Sequence, residues 1–314
     1  MSQQAQTARS VSSTQKPALT LKTREALTGL LLIAPALLGL GIFVYRPLAD
    51  TIGLSFTNWN MVRAEAEFLG GANYREMASS DTIRTAIGNT GIYILWLFGL
   101  IIIFPLFVGA GFTYVNKHSR RFFTAVIFSP MVISLGIASV LWLWIYNPIS
   151  GLLGYAWREL GMQPVSWLSN PGTALGAIAV IVAWKAFGYN MMLFIAGMGT
   201  IPRELIDAAR VDGAEGLTLW RRIILPLLAP TIVFVLFATL TMATEYVFTP
   251  IHVLTGGGPA DASTNIVFEV WRQAFRWFRV GYSSAIAVTV FLAFLFITVV
   301  QMLGSERIIS YEER

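Results

Sequence analysis

Six apolar stretches, at about 27–45, 90–114, 122–146, 173–198, 223–248 and 283–303, dominate this chain. A hydrocarbon core of roughly 30 Å is crossed by about 20 apolar residues in helical form, and each stretch is close to that length or longer. Within lipid every backbone N–H and C=O needs a partner inside the protein, so the stretches are expected as helices. A transmembrane barrel would instead read as alternating segments of about ten residues. The runs here are too long and too continuous for that. A mean hydropathy of +0.65, with 55% apolar and 12% charged residues among 314, agrees, since one soluble core cannot hide so much apolar surface. The fold class expected is an all-α membrane protein with six transmembrane helices.

Charge placement orients those helices. Lys and Arg number 13 in the N-terminal tail, the second and fourth loops and the C-terminal tail, against 8 in the other three loops. The positive-inside rule then puts both termini in the cytoplasm. The acid-free run KHSRR, 117–121, reads as a tight cytoplasmic turn that sets the second and third helices antiparallel and adjacent. Residues 1–24 are rich in Ser, Thr and Gln without apolar periodicity and read as a disordered tail. Residues 25–83 read as the first helix and an external loop, 84–303 as the remaining five helices and 304–314 as a cytoplasmic tail. The first run ends at Tyr45, Arg46 and Pro47 with no small-residue cleavage site, which argues against a secretory signal. Segment 46–88 carries five acids and four arginines with Trp59 and Tyr74, as a solvated loop would. Trp157 and Trp167 in 147–172 fit an interfacial belt. The absence of cysteine leaves the redox compartment open.

Between the fourth and fifth apolar runs lies a polar stretch with helical signals of its own, IPRELIDAARVDGAEGLTLWRRIILP, 201–226. Thr200 is placed as an N-cap with Pro202 in the first turn, and Leu205, Ala208 and Ala209 then recur on one face. Arg203, Asp207 and Arg210 fall on the opposite stripe, with the acid at pairing distance from both arginines. Gly213 interrupts the helix. Asp212 then reads as a second N-cap, with Glu215 as its capping-box partner, so a further short helix runs towards Pro226. A small-faced helix edged with charge suits a groove on another protein, although a self-satisfied surface loop fits the same spacing.

The same stretch resembles the EAA loop of ABC importer permeases, whose pattern is E-A-A, three residues, G, nine residues, I, one residue and L-P. Here it reads Asp207, Ala208, Ala209, Gly213, Ile223, Leu225, Pro226, with every interval kept and Asp standing for Glu. The resemblance implies a type I ABC importer permease fold in which residues 84–303 are the transmembrane domain and 200–226 the coupling loop. Its ATPase-coupling residues would be Glu204, Asp207, Ala208, Ala209, Arg210, Asp212, Gly213, Ile223, Leu225 and Pro226, the acid facing a basic group on the ATPase. It also implies a second homologous permease subunit, a pair of cytoplasmic ABC ATPases, an external or periplasmic solute-binding protein and a bacterial cytoplasmic (inner) membrane. ATP and Mg belong with the ATPase. This chain is expected to hold no cofactor, metal or nucleic acid and to catalyse nothing itself. The run LTGGGP, 254–259, is similar to one in sugar-importer permeases and narrows the resemblance to the carbohydrate branch, of maltose or glycerol-3-phosphate type. Its glycines lack the G-x-x-x-x-G-K-[ST] arrangement of a phosphate loop and read as a flexible turn.

Among the polar groups at membrane depth, Lys185, Tyr189 and Asn190 in the fourth run and Glu245 in the fifth stand out. A lysine there costs roughly 2.5–3.5 kcal/mol on insertion scales, so something must compensate it. Two readings stay open. Lys185 either pairs with Glu245 or snorkels, or these four residues line a substrate path. An amide and an aromatic face would suit a hydroxyl-rich solute. The function expected is the permease subunit of an ATP-driven importer for a carbohydrate or sugar-like solute, with glycerol-3-phosphate or a glycerophosphodiester as the alternative. A secondary transporter could use Lys185 and Glu245 as coupling groups. That class shows no inverted repeat here and leaves 201–226 without a task. An intramembrane hydrolase needs a base at depth, yet His118 and His252 lie in or beside loops and no G-x-S-x-G occurs.

Overall fold

The computed structural model describes residues 21–62, 65–112 and 115–309, so of the tails expected at 1–24 and 304–314 the parts 1–20 and 310–314 lie outside the described residues, whereas 21–24 and 304–309 are helical, as continuous helix extends past the apolar runs at both ends. The regular structure of the described residues is helical, with one isolated antiparallel bridge between Thr57 and Phe68. The chain divides into two units, Met1–Thr51 and Ile52–Arg314.

The first unit contains α1, Leu21–Leu40, a π turn at Gly41–Tyr45, and most of α2, Arg46–Leu54. Sequence reading ends this helix near Tyr45, but it continues for nine residues. The widened turn is the reason. Arg46 N–H reaches back to the Gly41 carbonyl, which loosens the ladder where the ring of Pro47 would otherwise collide.

The second unit opens with α3, Ala72–Ser79, and α4, Asp81–Phe98, with Ser80 capping α4 by accepting the Ile83 N–H. A π turn at Gly99–Ile103 joins α4 to α5, Phe104–Phe112, which carries Pro105. Next comes α6, Lys117–Phe128, a short 3-10 turn at Ser129–Val132, α7, Leu135–Ile145, and α8, Leu152–Glu159. The KHSRR run is thus no turn. Asn116 caps α6 through the Ser119 N–H at 2.9 Å, and the basic residues form the first helical turns. The third expected span bends by 102° between Val132 and Leu135. α9, Pro171–Gly199, is the unit's post: 61% of its membrane-length window is buried, against 11% in the final span. It packs against α4, α5, α6 and α7 and against the helix Ala229–Pro250.

At the C-terminal end of α9 lie α10, Arg203–Val211, α11, Gly216–Leu219, a π turn at Trp220–Ile224, and α12, Leu225–Leu227. α13, Ala229–Pro250, then leaves at a 69° bend. Among the described residues four helices are long and apolar enough to cross a membrane, and up to six if each bent pair is one span.

At the opposite end of α9, the segment after α13, read from its glycines as a flexible turn, is held by specific hydrogen bonds. Gly256 and Gly257 take φ of 59° and 89°, which only glycine adopts freely. Ser263 Oγ then pins the turn through the Gly258 carbonyl at 2.5 Å. α14, Ile266–Trp271, follows, and a π turn at Arg272–Arg276 leads to α15, Val280–Ile309. Arg272 binds Asp261 at 2.6 Å and Glu269 at 2.7 Å. Burial opposes its charge, but the two acids outweigh that and hold the guanidinium above its ordinary pKa. Tyr93 and Asn89 of α4 donate to the carbonyls of Ser263 and Asp261. Segment 55–79 is tied down too: buried Asn73 donates to the Ser55 and Thr57 carbonyls, and Arg279 grips Glu76 at 2.6 Å.

Candidate functional site

The corner between α10 and α11 is built around its own small core of Ile201, Ala209, Leu219 and Ile224. α10 ends in a left-handed turn in which Asp212 is the C-cap and Gly213, at φ +82°, follows it. The Gly213 N–H bonds the Arg210 carbonyl at 3.0 Å and the Ala214 N–H the Ala209 carbonyl at 2.8 Å. This is a Schellman closure, in which glycine supplies the positive φ and both trailing carbonyls are satisfied. Local expectations shift accordingly. Thr200 closes α9, its hydroxyl donating to the Gly197 carbonyl at 2.8 Å, and Pro202 takes the N-cap position of α10. Asp212 closes a helix instead of opening one, and Glu215 occupies the next N-cap position without a side-chain cap. Asp207 pairs with Arg210 at 3.4 Å, and no pair with Arg203 forms among the described residues.

The two alanines separate. Ala209 is buried in the corner's core, whereas Ala208 is exposed beside Leu205, Val211 and Leu217, which are 47%, 87% and 73% exposed. Glu204, Asp207 and Asp212 are exposed as well. Arg203, Arg210, Arg221 and Arg222 are exposed too, so the outward surface combines apolar side chains with charges of both signs. Ile223 packs into the corner's core and Leu225 against the cluster of Ile102, Phe194 and Leu228, so these two anchor the corner to the bundle. Pro226 is exposed just beyond the π turn, in which the Leu225 N–H reaches the Trp220 carbonyl.

On α9 the polar residues meet backbone. Lys185, 7% exposed, donates through Nζ to the Met131 carbonyl at 3.0 Å and to the Ile133 carbonyl. These carbonyls sit at the 102° break between α6 and α7. Fully buried Asn190 donates through Nδ2 to the Ile101 carbonyl at 2.6 Å. That acceptor is four residues before Pro105, whose ring nitrogen has no hydrogen to give it. Gly188 completes the face: a Cβ there would stand 2.3 Å from the Ile127 carbonyl oxygen. Tyr189 is half-buried against the main core cluster, and Glu245 of α13 is exposed. The structure does not bring Lys185 and Glu245 together.

Sequence reasoning missed the acceptors, because a carbonyl freed by a distant break leaves no trace beyond the proline that causes it. Pro105 and Pro130 were the available signal. It also missed a cavity of about 740 Å³ at the N-terminal end of α9, walled by Trp96, Trp142, Tyr146, Trp157 and Trp167.

Comparison with known proteins agrees with this architecture. The sn-glycerol-3-phosphate transport system permease protein UgpA of Yersinia pestis bv. Antiqua (strain Antiqua) is 30% identical over 284 residues, spanning 90% of this chain and 95% of that one. The probable ABC transporter permease protein YurN of Bacillus subtilis (strain 168) is 33% identical over 279 residues, 87% and 94% of the two chains. In fold, the chain is similar to a subunit of a bacterial ABC transporter involved in the import of the acidic polysaccharide alginate. The TM-score is 0.76 at 24% identity, over 90% of this chain and 96% of that one. Residues 101–308 match the family described as binding-protein-dependent transport system inner membrane component. A bundle with this corner and these relatives is a transport permease of the inner membrane, and the chain belongs to that family of ABC importer components.

Proposed function

We propose that this chain forms half of the translocation path of an ATP-driven importer for a carbohydrate or sugar-like solute, and couples to a cytoplasmic ATPase through 200–226. The observation that carries the reading is the corner itself. A packed core and a Schellman turn hold Leu205, Ala208, Val211 and Leu217 outward among exposed charges of both signs, as a surface made for docking requires. Each bent pair counts as one span in this reading, giving six spans with both termini cytoplasmic. A second homologous permease, two ATPase subunits and a solute-binding protein complete the importer, and ATP and Mg bind to the ATPases. A structural neighbour of this fold was solved in complex with an alginate pentasaccharide-bound periplasmic protein, which supports the last of these partners.

A second solute reading, sn-glycerol-3-phosphate, is favoured by the names of the UgpA relatives. Uptake by the complete reconstituted importer separates the two. Carbohydrate uptake that excess sn-glycerol-3-phosphate leaves unchanged supports the first, and competition supports the second. For the coupling role, Ala208→Trp should leave the complex in the membrane yet abolish solute-stimulated ATP hydrolysis. Full stimulated hydrolysis in that variant would remove the coupling assignment.

A further inference from the structure

The buried polar face of α9 has a task beyond the docking corner. Lys185, Gly188 and Asn190 occur within six residues and meet backbone of two different neighbours, both interrupted near a proline. At the first, α6 ends in a 3-10 turn containing Pro130, and Ile133 turns extended at ψ 134°. The chain therefore leaves the helical ladder, and the carbonyls of Met131 and Ile133 have no following turn to donate to them. In a bilayer no water replaces those donors, and each unsatisfied group costs several kcal/mol. The Lys185 ammonium reaches both. Two requirements are met by one contact: the carbonyls gain charge-assisted donors, and the cation sits where a helix C-terminus concentrates negative potential. No acid is needed. Gly188, one turn along on the same face, lets the α6 backbone approach closely enough for the contact, since any larger residue would strike the Ile127 carbonyl. At the second neighbour, Asn190 replaces the donor that Pro105 lacks.

We propose that Lys185 is the positioning residue of the third span. It fixes the direction in which α7 leaves the break, and with it the aromatic wall of Trp142 and Tyr146 that α7 and its end give to the 740 Å³ cavity. Asn190 gives α4–α5 the equivalent support. In this arrangement Lys185 neither contacts solute nor balances Glu245.

The chain has no cysteine, so spin labels placed at residues 137 on α7 and 192 on α9, both exposed, report the α7 direction directly. The measurement is made on the complete importer in nanodiscs, with Lys185→Met, Lys185→Arg, Lys185→Gln and the double change Lys185→Met with Glu245→Gln. Expected is one narrow distance distribution for the unchanged lysine and a broadened or multiple one for Lys185→Met. Arg or Gln, which still donate, should restore the narrow distribution, and Glu245→Gln should not. Maximal uptake should fall at least tenfold in Lys185→Met while the binding-protein concentration for half-maximal stimulation stays within twofold, because the docking surfaces are untouched. A wild-type distribution in Lys185→Met, or its repair by Glu245→Gln, overturns the proposal. If Lys185→Met does not accumulate, the donor-bearing variants decide. Either one accumulating with a narrow distribution supports it, and failure of both overturns it.

Discussion

Asn190 and Pro105 are far apart in sequence, yet the packing makes them complementary parts of one hydrogen bond. Asn190→Ala leaves the Ile101 carbonyl buried and unpaired, at a cost of about 1–3 kcal/mol. Pro105→Ala returns a backbone N–H to that carbonyl, so the double variant should recover most of the loss in thermal unfolding of the purified protein. Additive losses would show that the two do not share the acceptor. Gly188→Ala tests steric fit instead of hydrogen bonding. A Cβ 2.3 Å from a carbonyl forces α6 and α9 apart, and membrane yield should drop severalfold. The residues were legible in the sequence as misfits at membrane depth. Their partners were not, because spacing along one helix says nothing about which neighbour's ladder is broken beside it.

At the scale of elements, the corner at 200–226 was the most legible part of the chain. Its intervals alone placed two short helices about Gly213, and they are found there. Which alanine faces outward was not legible, since Ala208 and Ala209 differ by about 100° around a helix and the core's position decides between them. The distinction is testable. Ala208→Trp should keep the corner and block docking, whereas Ala209→Trp should burst the small core and lower the melting temperature of the complex as well. Gly213→Ala forces a side chain into φ +82° at about 1–2 kcal/mol, so it should weaken ATPase association less than either tryptophan. Equal effects of the two tryptophans, read by co-purification with the ATPase and by melting, would remove the assignment of faces, and exchanged effects would reverse it.

For the molecule as a whole, two ends of the bundle are built differently. The end bearing 255–280 is locked by Arg272, Asp261 and Glu269 together with donors from α4. Removing one member of such a buried set leaves charge without its partner. Glu269→Gln should therefore destabilise the fold by about 3 kcal/mol, at the low end of the range because Asp261 remains. Unfolding in detergent measures it. The proposed topology puts residue 119 in the cytoplasm and the 46–88 segment outside. A single cysteine at 119 should resist an impermeant thiol reagent in intact cells while one at 62, 80% exposed, reacts. Labelling of 119 alone would invert the arrangement.

Apolar run length was enough to read an all-helical membrane protein, and the cap and glycine signals of 201–226 to read two short helices about Gly213, because these follow from local chemistry along the chain. Packing decided what the residues could not: that the third and fifth apolar runs bend, by 102° and 69°, that the glycine segment is held by specific hydrogen bonds, and that Lys185 and Asn190 serve backbone. The physical reason is common to all three. A break in one helix frees carbonyls that only another helix can satisfy, and which helix does so is fixed when α4 to α7 and α13 pack against α9.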